Sequence, residues 1–178
     1  MQIETKLKKL NIGCGIHPRK GYVNLDIAKL PHVDIIHNLD KYPWPFKDNT
    51  FDEIFCDNVL EHLESITRPM EEIYRICKPN AKIIIKVPIF PSVYAAVDPT
   101  HKQFFTYMTF DYFKAGYSLN YYSKARFNIL KRRIMFSSAI PGLTTFFNCS
   151  ERMQKFYTVA LSFLIPANWL YFELEVAK

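Results

Sequence analysis

Apolar residues along this chain fall into short runs cut by turn-forming residues, and the period of the runs changes along the sequence. Residues 8–13 read as a first short strand, β1, and residues 22–27 as β2, with β-branched and aromatic residues bounded by Gly21 and Pro31. Asp34–His37 reads as β3, ending at Asn38. Lys41–Asn49 holds two prolines and reads as a loop, and Phe51–Cys56 as β4. The period then becomes helical. Ile66, Met70, Ile73, Tyr74 and Cys77 recur on one face, with Glu71 and Glu72 near the start and Lys78 at the end, where each charge suits the helix dipole.

Lys78-Pro79-Asn80 reads as a turn, since asparagine tolerates positive φ. Ala81–Val87 is nearly continuously apolar and predicts a central parallel strand, β5. Pro88–Thr109 is irregular and follows the carboxyl end of that strand, where open α/β sheets bind ligands. A helix is expected from Thr109 or Asp111 to near Gly116, a strand β6 over Phe127–Phe136, and a helix over Glu151–Leu164 capped by Ser150. Trp169–Val176 alternates as β7. Strands alternating with helices predict an α/β sheet with crossover helices. No repeat or linker interrupts the chain, so one domain is expected over residues 1–178.

The chemistry concentrates at Lys9-Leu10-Asn11-Ile12-Gly13-Cys14-Gly15 and Tyr22-Val23-Asn24-Leu25-Asp26-Ile27. A strand enters a glycine turn, and the next strand ends on an acid placed for ribose hydroxyls. The dinucleotide fingerprint would add a third glycine and an acid about twenty residues on. Pro18 holds the third glycine's place and Asp26 follows Gly15 by only eleven residues, so Ile16–Gly21 is a compact loop and a nicotinamide dinucleotide is disfavoured.

LNIGCG followed closely by GYVNLDI resembles the class I S-adenosylmethionine-dependent methyltransferases, in particular a small branch with a shortened first crossover. WPFKDNTFDEIFCDNVLEHL, EEIYRICKPNAKIIIKVP and DPTHKQFFTYMTFDYF match it in the right order, over roughly residues 8–115. The resemblance implies a Rossmann-like fold: a mostly parallel seven-stranded sheet with an antiparallel last strand. It implies S-adenosylmethionine as cofactor and methyl transfer to oxygen or nitrogen of a small-molecule or saccharide acceptor.

On the matching positions, Asn11, Gly13, Cys14 and Gly15 would approach the cofactor's amino-acid and ribose end, and Asp26 with Ile27 its ribose. Asn38 and Leu39 would stand beside the adenine, with asparagine where relatives often carry an acid. Trp44 and Phe46 either pack on the adenine or cover the sheet edge. Asn58 would face the methionine end; His62 is either a cofactor residue or a structural histidine. Asp98 and His101 are the candidate catalytic pair, an acid to hold a hydroxyl and a base to take its proton; the same residues also suit a loop-forming turn. No N-P-P-Y or D-P-P-Y follows β4, which disfavours methylation of nucleobase amines.

Composition narrows the setting. The net charge of +6 comes from scattered cations apart from Lys124-Arg126 and Lys131-Arg132-Arg133. It reads as a solubility charge, with an RNA methyltransferase as an alternative. Cys14, Cys56, Cys77 and Cys149 form no C-x-x-C pair, so their spacing predicts no metal site, and they read as reduced thiols of a cytoplasmic protein. MQIETKLKKL lacks the apolar core of a secretory signal. Phe156–Ile165 is about half the length needed to span a bilayer, and is expected to bury against the sheet rather than lie on lipid. A catalytically degenerate interaction module of the same fold is the alternative from another class; its compact size and Asn80 in place of a usual glycine favour it, while Asp26 and the two glycines speak against it.

Overall fold

A computed structural model describes residues 7–139 and 141–178. Residues 1–6, on which the reading of the N-terminus partly rests, lie outside the described residues. The strands are β1 (Lys9–Ile12), β2 (Val23–Asp26), β3 (Ile35–Ile36), β4 (Phe51–Asp57), β5 (Cys77–Pro88), β6 (Phe127–Met135) and β7 (Trp169–Val176). They form one seven-stranded sheet in the order β3-β2-β1-β4-β5-β7-β6. β7 runs antiparallel to both neighbours and the other pairings are parallel.

The β1–β2 link is the compact loop expected, and no helix lies between β2 and β3 either. Ten residues separate β1 from β2 and eight separate β2 from β3. A helical crossover needs a dozen or more, so both links are loops. The full crossover helix is α1 (Thr67–Ile76), between β4 and β5, with Pro69 tolerated in its first turn. Met70, Ile73 and Ile76 bury its apolar stripe against the sheet. Lys78, expected at the helix end, is already in β5, with Nζ 2.8 Å from Asp52 Oδ1.

The register explains how so few helices suffice. Leu10, Ile54, Ile83, Leu174 and Ile129 stand in one cross-strand row, and Leu25, Ile12, Cys56, Ile85 and Phe172 in another. These rows share a face and form the core with α1 and Phe105, Phe110 and Phe113. The opposite face is clothed by its own polar side chains. Lys9, Glu53, Lys82 and Glu175 alternate in charge across four adjacent strands, and Asp57, Lys86 and Tyr171 form a second row. Ion pairs join Lys9 to Glu53, Lys82 to Glu173 and Lys86 to Asp57. Arg19, from the β1–β2 loop, lies 3.7 Å from the Phe55 ring centre on the same face. β5 is therefore not the doubly buried strand expected: Lys82, Ile84 and Lys86 are partly exposed.

Asn80 takes the expected positive φ, 61°, inside an irregularity where two steps along β4 match five along β5. The helix expected near Thr109 is a short 3-10 turn, Thr109–Phe113. α2 is one turn, Val93–Ala96, and α3 spans Leu143–Phe147. α4, Glu151–Phe156, is capped by Ser150, whose hydroxyl accepts from Met153 N, and continues as a π-helical turn through Leu161. The 156–165 run is not wholly buried as expected. Tyr157 is enclosed, while Phe156, Val159, Phe163 and Leu164 face outward. The run is apolar on every side, and only one side can pack. Among the described residues no helix is long and apolar enough to cross a membrane.

The charge ladder predicts an asymmetric response at Lys82. Reversal to glutamate sets like charges beside Glu53, Glu173 and Glu175, and should cost about 1–2 kcal/mol; Lys82→Met should cost about 0.5 kcal/mol or less. Urea unfolding at low and high salt checks this, with the Lys82→Glu penalty shrinking as salt rises.

Candidate active site

A cavity of about 790 Å³ opens at the carboxyl ends of β1, β2 and β4. Its floor is the glycine turn. Gly13 has φ 62°, and a Cβ there would lie 2.4 Å from Val59 Cγ2. Only glycine lets the ends of β1 and β4 approach this closely. Gly15 also has positive φ, 48°, but open space lies where its Cβ would project.

Asp26 ties this turn to β2. Its carboxylate accepts from Gly15 N at 2.7 Å and from Ala28 N at 2.9 Å. A carboxylate offers about four lone-pair positions, so acceptor capacity remains for ligand hydroxyls. Ile27 lines the cavity beside it. The far wall is His37–Lys41. Asn38 Oδ1 accepts from Asp40 N at 2.9 Å and so shapes this turn. Trp44 holds the wall from behind: it is buried, and its Nε1 donates to Leu39 O at 3.0 Å. Phe46 packs edge-on against Phe51. Both tryptophan and phenylalanine thus support the cavity without lining it.

The third side is the turn after β4. Asn58 has φ 55° and its amide donates to Lys86 O at 2.9 Å. Its Nδ2 donates to Asp57, while its buried Oδ1 has no hydrogen-bond partner in the protein. A short 3-10 helix, Leu60–His62, brings His62 onto the wall.

Of the residues singled out from sequence, the structure brings Gly13, Gly15, Asp26, Ile27, Asn38, Leu39, Asn58 and His62 to one cavity. Asn11 and Cys14 lie outside it. Asn11 is buried and donates to Asn24 Oδ1 at 3.0 Å, so it braces the strands. The Cys14 side chain is buried, and burial with the nearby Asp26 charge pushes its thiol upward. Asp98 and His101 also stand off the cavity. Partly exposed Asp98 accepts from Thr100 N and Thr100 Oγ1 at 2.8 and 2.7 Å, closing its own turn, and these bonds hold it below the usual carboxylate range. His101 packs edge-on against His62, ring centres 4.7 Å apart.

Asp40, Lys41, Glu64 and Lys102 line the cavity without having been singled out, since nothing in their local sequence marks them. Glu61 is a different omission. It is fully buried and neither carboxylate oxygen has a partner. Burial, reinforced by Asp57 and Asp98 and opposed by its own backbone amide and Lys86, pushes its pKa up to about 7. Burial lowers that of His62, as does His101. The adjacent acid and histidine in Leu60-Glu61-His62 were the signal.

Residues 14–85, less than half of the chain, match a family model described as a methyltransferase domain. With 97% of this chain and 87% of the other aligned, the fold superposes on a SAM-dependent methyltransferase of Archaeoglobus fulgidus at a TM-score of 0.62 and 16% identity. The fold is that of the class I S-adenosylmethionine-dependent methyltransferases. Among curated relatives, an uncharacterized protein of Methanocaldococcus jannaschii is 51% identical over 43 residues, 24% of this chain and 19% of that one. Sterol 4-C-methyltransferase strm-1 of Caenorhabditis elegans is 30% identical over 111 residues, 48% of this chain and 32% of that one. The matches thus span about a fifth and a third of those relatives.

The cavity fits S-adenosylmethionine. The open space at Gly15 admits a ligand against the backbone, Asp26 offers acceptors to hydroxyls, and the orphaned Asn58 Oδ1 offers one to an ammonium group.

The two glycines should respond differently to alanine. Gly13→Ala combines the clash with Val59 and a left-handed backbone, and should cost about 2–4 kcal/mol of stability. Gly15→Ala carries the backbone cost alone, about 1 kcal/mol, with the fold retained. Urea unfolding of both variants checks the order.

Proposed function

We propose that this methyltransferase transfers the methyl group of S-adenosylmethionine to oxygen or nitrogen of a small organic acceptor. The observation that carries this reading is the convergence of Gly15, Asp26 and Asn58 on one open cavity. The cofactor supplies a methyl group on a sulfonium, which needs no covalent enzyme intermediate. The chain's work is then to bind, orient and exclude water. Asp26 fixes the glycine turn and retains lone pairs for ribose hydroxyls. Asn58 meets the amino-acid end, and the Asn38 turn with Leu39 bounds the adenine end.

The acceptor side lies beyond β5. Phe90, Phe104 and Phe163 form an exposed aromatic group there, with Phe90 5.5 and 5.9 Å from the other two ring centres. This favours an acceptor with an apolar body, in keeping with the sterol in the name of the C. elegans relative. A proton-accepting role falls to His62 rather than His101, because His62 lines the cavity and burial keeps it neutral.

The RNA reading loses support at the basic segment. Arg132 is buried and paired with Asp111, Arg126 donates to the carbonyls of Asn120, Ser123 and Ala125, and Lys131 lies 3.8 Å from Glu173. These cations serve the fold and do not line one groove.

Calorimetric titration with S-adenosylhomocysteine tests the proposal. The wild type should bind, and Asp26→Ala, losing charge-assisted bonds of about 1.5–3 kcal/mol, should bind roughly 10–100-fold more weakly with its fold intact. No binding by folded wild type would overturn the reading in favour of an interaction module.

A further inference from the structure

Glu61 is the least explained group in the molecule. It sits at the turn between β4 and α1, with 0% of its surface exposed and both carboxylate oxygens unpartnered. An isolated buried carboxylate is costly unless it is protonated, paired with a cation or bound to a metal. Arginine and lysine do not answer it: Lys86, the nearest cation to act on it, is paired with Asp57 at 3.2 Å.

What faces Glu61 is a pair of histidines. One donor atom from each of Glu61, His62 and His101 lies within 4.8 Å of the others, and among the described residues this is the one such convergence. The hydrogen bonds fix the state of both rings. His101 Nδ1 is 3.2 Å from the carbonyl of Ala95, which can only accept, so Nδ1 carries the proton. His62 Nδ1 is 2.8 Å from Thr100 Oγ1. That hydroxyl donates its single hydrogen to Asp98, so it must accept from His62 Nδ1–H. In both rings Nε2 is left with a bare lone pair. A backbone carbonyl behind one imidazole and a Thr100–Asp98 relay behind the other are the supports that orient metal-binding histidines.

We propose that Glu61, His62 and His101 bind one divalent transition-metal ion, with zinc as the expected occupant. Two imidazoles and a carboxylate make a donor set suited to zinc, which accepts three protein ligands and keeps a position open. Hard magnesium, which prefers oxygen ligands and keeps its waters, is less suited. His62 also lines the cavity, so the ion would stand at its acceptor side. If the methyl-transfer reading holds, the open position would take a hydroxyl oxygen of the acceptor and lower its pKa, the proton passing to solvent. The ion would then replace His62 as the group that acidifies the acceptor, and alcohols would be preferred over amines.

Equilibrium dialysis of the full chain against Zn²⁺, in a Cys149→Ser background to remove the exposed thiol, tests the site without cofactor or acceptor. One ion per chain is expected. Glu61→Gln and His101→Ala should each weaken it at least tenfold, and His17→Ala should leave it unchanged. Circular dichroism establishes that the variants fold. Cobalt substitution of the wild type gives a second readout that needs no variant: visible d–d bands of a low-coordinate ion are expected. Absence of stoichiometric Zn²⁺ binding, or binding equal in all variants, overturns the proposal. Because the readout is the metal alone, its failure leaves the S-adenosylhomocysteine titration untouched, and the converse also holds.

Discussion

The site depends on how tightly the turn after β4 is held. Gly13 leaves no room for a Cβ against Val59, so the ends of β1 and β4 meet in van der Waals contact. The Asn58 amide is tied to β5 through Lys86 O, and the Glu61 carbonyl accepts from Lys102 N at 2.7 Å and Gln103 N at 3.1 Å. One five-residue stretch, 58–62, is thereby fixed to the first strand, the central strand and the loop that carries His101. Asn58 and Val59 look into the cofactor cavity, and Glu61 and His62 into the histidine cluster.

That stretch could not be held so firmly by loops alone if the sheet beneath it were soft. The sheet has few helices, and its stiffness comes from an asymmetric division of labour. One face supplies rows of isoleucine, leucine and phenylalanine that bury against α1 and the aromatic 105–113 segment. The other supplies alternating charge, where each pair is worth only about 0.2–1 kcal/mol. Its larger contribution is to let parallel strands meet water at little cost, which permits the short β1–β2 and β2–β3 links. Arg19 over Phe55 covers an aromatic surface there that a crossover helix would otherwise bury.

All seven strands were legible because each is a short apolar run between turn residues, and the glycine turn with Asp26 was legible as local chemistry. The open face was partly legible too. Trp169–Val176 alternates visibly, but in β5 the run Ile83-Ile84-Ile85 hides the same period, and only Lys82 and Lys86 on either side betray it. The β1–β2 link was legible as a compact loop from its length and Pro18, and the eight residues between β2 and β3 are likewise too few for a crossover helix. Glu61 was only half legible, through its neighbour His62. Its meaning rests on His101, forty residues away and brought to it by two backbone bonds from the 102–103 segment. Asp98, read from sequence either as a catalytic acid or as a turn former, holds Thr100 and through it His62.

These observations join into one argument about coupling. Asn58 and Glu61 are three residues apart on a turn whose backbone has left-handed φ at Asn58 and 3-10 geometry from Leu60. Such a turn cannot relax at one end without moving the other. A ligand that satisfies the orphaned Asn58 oxygen stiffens the same backbone that presents Glu61 and His62, and an occupant of the histidine cluster stiffens it from the other end. Two ligands that each order one element bind more favourably together than apart, and the gain is reciprocal. In a chain with so few helices, this shared turn is the short physical route between the cavity and the histidine cluster.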